Sequence, residues 1–221
     1  MELLEAIKSR HSVRQYTNKT IDEDIIKALQ AEIDTCNKEG SLHIQLVTDE
    51  PKAFDSFLAR YGKFSGVTNY IALIGKKCEG REEKCGYYGE RLVLKAQQLG
   101  LNTCWVAMSY KKIPGAFKVD KGEKLTVVIS LGYGKTQGTP HKSKTIQQVS
   151  NITANDPQWL QAGAAAALLA PTAMNQQKFK IIYAEGKITM KAGKGPYTKI
   201  DLGIVKYHFE LGAGKENFIW G

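Results

Sequence analysis

The chain is poor in the residues that build disulfide frameworks and metal centres. Cysteine occurs four times in 221 residues, as Cys36, Cys78, Cys85 and Cys104, irregularly spaced and without a Cys-x-x-Cys pair. That pattern reads as reduced thiols and argues against a thiolate zinc site. Histidine is as sparse, at four residues, and His208-Phe209-Glu210 lacks the i, i+4 histidine pair of a helical zinc site, so no metal is expected. Long apolar runs are missing too. The longest, Ala164 to Ala170 behind Ala162 and Gly163, falls far short of the roughly 18 residues a bilayer span needs, and it reads as a buried helix. Met1-Glu2-Leu3-Leu4-Glu5 offers no basic region followed by an apolar one, so a cytoplasmic protein with no secretory signal and no membrane partner is expected.

What is present is an ordinary globular balance, 43% hydrophobic and 24% charged, in a chain long enough for one sizeable core or two small ones. The net charge of +9 invites a nucleic-acid reading. Yet the lysines are dispersed and interleaved with acids, as in Lys76-Lys77-Cys78-Glu79-Gly80-Arg81-Glu82-Glu83-Lys84, the pattern of a solvated face. Such a surface favours anionic small molecules as readily as polynucleotides, and no nucleic acid is expected as a partner.

Thr20-Ile21-Asp22-Glu23 has the form of a capping box, and Ile25, Ile26, Leu29 and Ile33 follow at helical spacing, which predicts a helix from about Ile21 to Cys36. Runs rich in Val, Ile and Tyr predict strands at Leu42–Thr48, Tyr70–Gly75, Leu125–Leu131, Phe179–Ala184 and Lys187–Ala192. Helical periods fill Lys52–Arg60, Glu90–Leu99, Pro157–Ala170 and Leu202–Leu211. The alternation is too irregular for repeated βαβ units, so an α+β class is expected, with helices packed on mixed or antiparallel sheets. A weak echo joins the halves: Gly89, a helix and Trp105 in one, Gly203, a helix and Trp220 in the other. It suggests two related halves, 1–150 and 151–221, with the boundary near Asn155-Asp156-Pro157.

Two segments are suited to ligand chemistry. Arg10, Ser12 and Arg14 alternate, so in an extended segment they project to one side. Two guanidiniums flanking a hydroxyl can hold a phosphate, although a solvated basic turn has the same composition. Pro171 ends the Ala-rich helix, and Thr172, Ala173 and Asn175 then present small or amide-bearing groups, suited to a planar ligand or to a plain helix-to-strand connection. Gly132-Tyr133-Gly134-Lys135-Thr136-Gln137-Gly138 follows a strand, but Thr139-Pro140 comes next where a dinucleotide fold requires a helix N-terminus.

Lys8-Ser-Arg-His-Ser-Val-Arg-Gln-Tyr16 and Ala170-Pro-Thr-Ala-Met-Asn-Gln-Gln177 resemble the two signature segments of the FMN-dependent nitroreductases. The second stands in the latter half rather than near its usual place, here occupied by Thr35–Ser41, and this resembles a branch with a degenerate second half fused in one chain. The resemblance implies a nitroreductase-like fold forming a single-chain pseudo-dimer, a monomer or weak homodimer, with residues 151–221 completing the flavin site of residues 1–150. It implies FMN as cofactor, its phosphate and ribityl chain held by Arg10, His11, Ser12 and Arg14, with Lys142 and Lys144 as further basic residues. It places Ala107 or Met108 beside flavin N5, Arg60 and Lys63 near the pyrimidine edge, and Pro171, Thr172, Ala173 and Asn175 against the ring. The activity implied is hydride transfer from NAD(P)H to a small acceptor such as a nitroaromatic, a quinone or a flavin, with no catalytic acid, base or nucleophile; a non-catalytic flavin binder is the alternative.

Overall fold

The computed structural model describes residues 1–221, and the chain divides into two compact units, neither contiguous in sequence. One comprises Arg10–Arg81 with Leu92–Thr139, the other Met1–Ser9, Glu82–Arg91 and Pro140–Gly221.

The first unit is built on a four-stranded antiparallel sheet of β1 (Gln45–Val47), β2 (Asn69–Lys76), β3 (Asn102–Val106) and β4 (Glu123–Gly132), in the order β1-β2-β4-β3. β2 is buried from Asn69 to Gly75, which explains its unbroken apolar run, since a strand covered on both faces has no polar alternation. Its register on β4 pairs Asn69 with Leu131 and Lys76 with Glu123, with a bulge between Leu73 and Ile74. Val13, Tyr16, Phe54, Phe64, Val67, Tyr70 and Val128 share one apolar cluster. The Tyr16 hydroxyl donates to the Val13 carbonyl at 2.7 Å and lies 2.8 Å from Ser130 Oγ, so this core tyrosine leaves no polar atom unmatched. Gly66 has φ +69°, and a Cβ there would strike the Tyr16 carbonyl, so the turn before β2 is closed to any larger residue.

α2 (Glu23–Gly40) begins two residues later and ends four later than its periodicity predicts. Its cap is Asp22 rather than Thr20, and no side chain bonds the first turn, so the predicted capping box does not form. The predicted Lys52–Arg60 helix is only α3 (Phe57–Tyr61). The Glu50 carboxylate accepts the N–H groups of Lys52 and Ala53 at 3.0 and 2.9 Å and holds that stretch in a turn, and Ser56 caps α3 through the Ala59 N–H. α4 (Arg81–Gln98) runs nine residues further toward the N-terminus than its apolar pattern suggests, through the charged Arg81–Lys84 turn.

The second unit packs α1 (Leu3–Ser9), α5 (Ile146–Val149), α6 (Gln158–Leu168) and α7 (Thr198–Ala213) with a small sheet. β5 (Phe179–Ala184) and β6 (Lys187–Ala192) form an antiparallel hairpin whose turn places Glu185 and Gly186 at φ +50° and +75°, and β7 (Ile219–Trp220) pairs parallel to β6. α7 is buried along almost its whole length. A Cβ on Gly203 would enter the Glu83 carbonyl, and one on Gly86 the Ile200 carbonyl, so α7 and the first half of α4 touch backbone to backbone through paired glycines. Polar groups lie deep in this unit. His208 Nε2 is 2.8 Å from Glu90 Oε1 with both side chains fully buried, and His208 Nδ1 lies 3.1 Å from the Ala166 carbonyl. The helices and the antiparallel and mixed sheets make this an α+β protein, as the sequence implies.

Candidate functional site

In the first unit, residues 10–16 run as an extended segment stitched to its neighbours. Ser12 bridges Thr103, the Val13 N–H donates to the Thr103 carbonyl at 3.0 Å, and the Ser65 N–H donates to the Arg14 carbonyl at 3.1 Å. The backbone so held fixes which side chains face the core. Val13 and Tyr16 enter the core, while Arg14 emerges at a cleft of about 400 Å³ lined by Arg14, Lys63, Phe64, Trp105, Ala107 and Ser109 among others. The Arg14 guanidinium carbon stands 6.0 Å from the Phe64 ring centroid, a cation–π contact that orients the charge. Arg10 takes a different course and is 3% exposed. Burial pushes the thiol of Cys104 on β3 up, while Arg14, a hydrogen bond from Ser12 and Arg10 oppose that shift.

The other predicted residues of this unit separate. Lys63 holds φ +63° and lines the cleft with its neighbours Tyr61 and Gly62. Ala107 lines it, and Met108 beside it is 72% exposed. Arg60 turns elsewhere, with its guanidinium 3.8 Å from Asp55 and outside the cleft lining. His11 packs by its Cβ near Gly138, where a Cβ in place of the glycine hydrogen would come within 2.7 Å. Tyr61, Phe64 and Ser109 join the cleft without any sequence motif to mark them.

In the second unit, Pro171 to Gln177 forms a tight turn in which Met174, Asn175 and Gln177 all take left-handed φ, at +51°, +52° and +45°. Three such residues in seven require outside support. The Ala173 N–H donates to Asp201 Oδ1 at 2.9 Å, and Gln176 Nε2 donates to Asp201 Oδ2 at 2.8 Å. Burial pushes the Asp201 carboxyl above the usual range, against the pull of those two bonds. The Gln177 N–H donates to Thr172 Oγ1 at 3.0 Å. Asn175 Nδ2 and Gln177 Nε2 both donate to the Lys142 carbonyl, at 2.9 and 2.8 Å. Lys144 Nζ donates to the carbonyls of Gln176 and Gln177 at 3.1 and 2.8 Å, so its ammonium closes this turn. The structure thus brings Lys142, Lys144, Thr172, Ala173 and Asn175 together, with Pro171 leading in. Gln177 and Asp201 are the anchors that sequence reasoning passes over.

A family model described as "Putative TM nitroreductase" matches residues 2–213. The chain belongs to this nitroreductase family. Among solved structures, a "putative nitroreductase" of Thermotoga maritima is 23% identical, with a TM-score of 0.67 over 98% of this chain and 85% of that one. Another, a "putative nitroreductase in complex with FMN" from Desulfovibrio desulfuricans, is 16% identical, with a TM-score of 0.54 over 71% of this chain and 98% of that one. A third, from Bacteroides thetaiotaomicron and described as a "Putative NADH dehydrogenase/NAD(P)H nitroreductase", is 22% identical, with a TM-score of 0.50 over 70% of this chain and 98% of that one. No curated protein matches the chain. In this nitroreductase the cleft at Arg14 combines two cations, Arg14 and Lys63, with aromatic walls and the backbone segment Val106–Ala107.

Proposed function

We propose that the protein is an FMN-dependent oxidoreductase that takes hydride from NAD(P)H and passes electrons to a small acceptor of nitroaromatic, quinone or flavin type, donor and acceptor using one cleft in turn. The observation that carries this reading is the meeting of Arg14, Lys63, Trp105 and Ala107 at one concavity. The residues present fit FMN. The cleft volume falls within the roughly 300–1,000 Å³ of small-molecule sites, and its cations match an anionic ligand.

FMN, when bound, supplies the hydride and electron-transfer chemistry. The chain supplies position and charge. Arg14, with Arg10 and Ser12 behind it, would hold the phosphate end through charge-assisted bonds. Lys63 would place positive charge beside the ring's pyrimidine edge and favour its anionic reduced form, and the Ala107 or Met108 N–H would offer a donor to the ring. Trp105 and Phe64 narrow the cleft and exclude water. Family membership and the FMN-bound Desulfovibrio relative support the cofactor assignment, and the Bacteroides relative, an NAD(P)H nitroreductase by description, supports the nicotinamide donor. From the sequence we further propose one FMN per chain, without a partner subunit, in the cytoplasm.

The absorption spectrum of freshly purified protein, followed by steady-state NADH and NADPH oxidation with a quinone, tests this. Flavin bands near stoichiometric with protein, and parallel double-reciprocal lines, are expected. A colourless protein that takes up no added FMN would end the proposal; a yellow protein that does not turn over would reduce it to a flavin binder.

A further inference from the structure

The first unit carries a second concavity that the flavin reading leaves unused. It has a volume of about 720 Å³ and is lined by Lys77, Arg81, Lys112, Phe117, Val119, Glu123, Lys124 and Leu125. Four of these eight side chains are cationic, three are apolar, and one is acidic. The acid is engaged from behind: Glu123 Oε2 is 2.8 Å from His43 Nδ1 and accepts the Asp120 N–H at 2.9 Å. Although partial burial pushes its carboxyl up, those bonds leave Glu123 below the usual carboxylate range. Four cations against this one carboxylate leave the cleft lining with an excess of positive charge.

Arg81 adds a sharper observation. Its Nε is shielded from solvent and has no hydrogen-bond partner in the protein, while its side chain packs against Gly75, where an added Cβ would lie 3.4 Å from Arg81 Cγ. A shielded guanidinium N–H that bonds nothing is costly, and an acceptor from outside the chain would remove that cost. The apolar members are fixed from below. Phe117 stacks edge-on to the buried Tyr70 with centroids 6.4 Å apart, and Leu125 belongs to the β4 core, whereas Val119 stays 42% exposed at the rim. The cleft floor is held by the sheet, because the Lys77 N–H donates to the Gly122 carbonyl at 2.8 Å and Glu123 pairs with Lys76 in register.

We infer that this cleft, formed by Lys77, Arg81, Lys112 and Lys124 over Phe117, Val119 and Leu125, binds a small amphiphilic anion, an alkyl or aryl body ending in a carboxylate or phosphate. The apolar floor takes the body and the guanidinium and ammonium groups take the head. Nucleic acid fits less well, because the charged groups surround one concavity rather than following a track. The connection between β3 and β4 contributes Ala107 and Ser109 to the Arg14 cleft and Lys112, Phe117 and Val119 to this one, so the two sites must be told apart experimentally.

The test is isothermal titration of full-length protein, pre-saturated with FMN, with decanoate, phenyl phosphate and inorganic phosphate, together with amide chemical-shift mapping. One saturable site for decanoate or phenyl phosphate is expected, with the largest shifts at Lys77, Arg81, Lys112 and Val119. Inorganic phosphate should bind at least about tenfold more weakly, since it forgoes the apolar contact. Arg81→Gln and Lys124→Gln should each weaken binding by about tenfold, the scale of one charge-assisted bond, with the thermal midpoint and flavin content unchanged. Val119→Ser, at the exposed rim, should weaken decanoate and leave phosphate untouched. Absence of a saturable site, equal affinity for phosphate and decanoate, or undiminished binding by both charge variants would overturn the inference. Titration of FMN-free protein separates its failure from failure of the flavin assignment, because shifts confined to Arg14, Lys63 and Ala107 would place the anion in the other cleft.

Discussion

The two units bury different kinds of polar side chain. Around β2 the buried polar side chains are neutral except for Arg10, as with Asn69, Asn102, Thr103 and Ser130, and the Tyr16 hydroxyl is matched by the Val13 carbonyl and Ser130. Around α7 the chain buries Glu90, Asp201, His208 and Glu210 and satisfies them with partners from distant parts of the sequence. Glu210 is typical of this interior. It accepts from Tyr87 Oη and from Trp220 Nε1, and burial together with the first of these bonds pushes the Tyr87 phenol far up. An apolar core gains stability from area alone and tolerates repacking, whereas a polar interior is specific and fails when one member is lost. In the first unit the charged groups other than Arg10 stand toward the surface; in the second, acids and a histidine are built into the fold.

The comparison breaks most visibly at His208. His208→Ala should destabilise the protein by about 2–5 kcal/mol, because it empties a fully buried site and takes one partner from the buried Glu90 carboxyl and one from the Ala166 carbonyl. Urea unfolding of the single variant and of Glu90→Gln/His208→Ala, in which the charge is also removed, reads this out. The double variant should recover part of the loss, and equal losses would mean that the carboxylate is not the source of the cost.

Arg14→Ala tests the apolar unit in turn. It removes a surface cation from an already complete core, so unfolding should change by less than about 0.5 kcal/mol. FMN retention should fall by about 1.5–3 kcal/mol, the worth of a charge-assisted bond, seen as flavin lost on gel filtration. A variant that keeps its flavin but unfolds early would place Arg14 among the structural residues.

Asp201 gives a smaller, pH-dependent effect. Its folded carboxyl sits above the unfolded value, so its contribution to stability is fully present below the unfolded pKa and is lost as pH rises through the raised folded one. The stability difference between the parent and Asp201→Asn should therefore favour the parent most in acid and shrink toward neutrality. Thermal midpoints at matched ionic strength from pH 3.5 to 7.5 measure it, and a difference growing toward neutrality would show that the Ala173 and Gln176 bonds outweigh burial.

The same contrast explains what is legible in the sequence. β5 and β6 are readable to the residue, because alternation and a Glu185-Gly186 turn are local signals. β3 is not, since Asn102 and Thr103 look like loop residues until Asn102 is seen accepting the Gly134 N–H at 2.9 Å and donating to Gln137 at 3.0 Å. Arg10, Ser12 and Arg14 share a period of two that predicts one common side, but Arg10 is buried while Arg14 is exposed, a difference that leaves no local trace in the sequence. Lys144 reads as a phosphate ligand because basic residues after Gly-Tyr suggest one. The carbonyls of Gln176 and Gln177 that engage it are supplied by a turn whose left-handed residues carry no glycine to announce them.

The smallest effect belongs to Tyr70, where the apolar unit departs from its own rule. Its side chain is fully buried on β2 among Phe54 and Phe117, yet its hydroxyl finds no hydrogen-bond partner, and burial, with Glu50 and Tyr110 nearby, pushes the phenol up to about 12. A hydroxyl in that position contributes desolvation cost without a bond to offset it. Tyr70→Phe should therefore leave stability unchanged or raise it by up to about 1 kcal/mol, whereas the same change at the doubly bonded Tyr16 should cost about 0.5–1.5 kcal/mol. Parallel guanidinium titrations of the two variants measure the pair. A loss at Tyr70 as large as that at Tyr16 would mean that the two tyrosines are held alike, and the distinction between matched and unmatched hydroxyls in this core would fail.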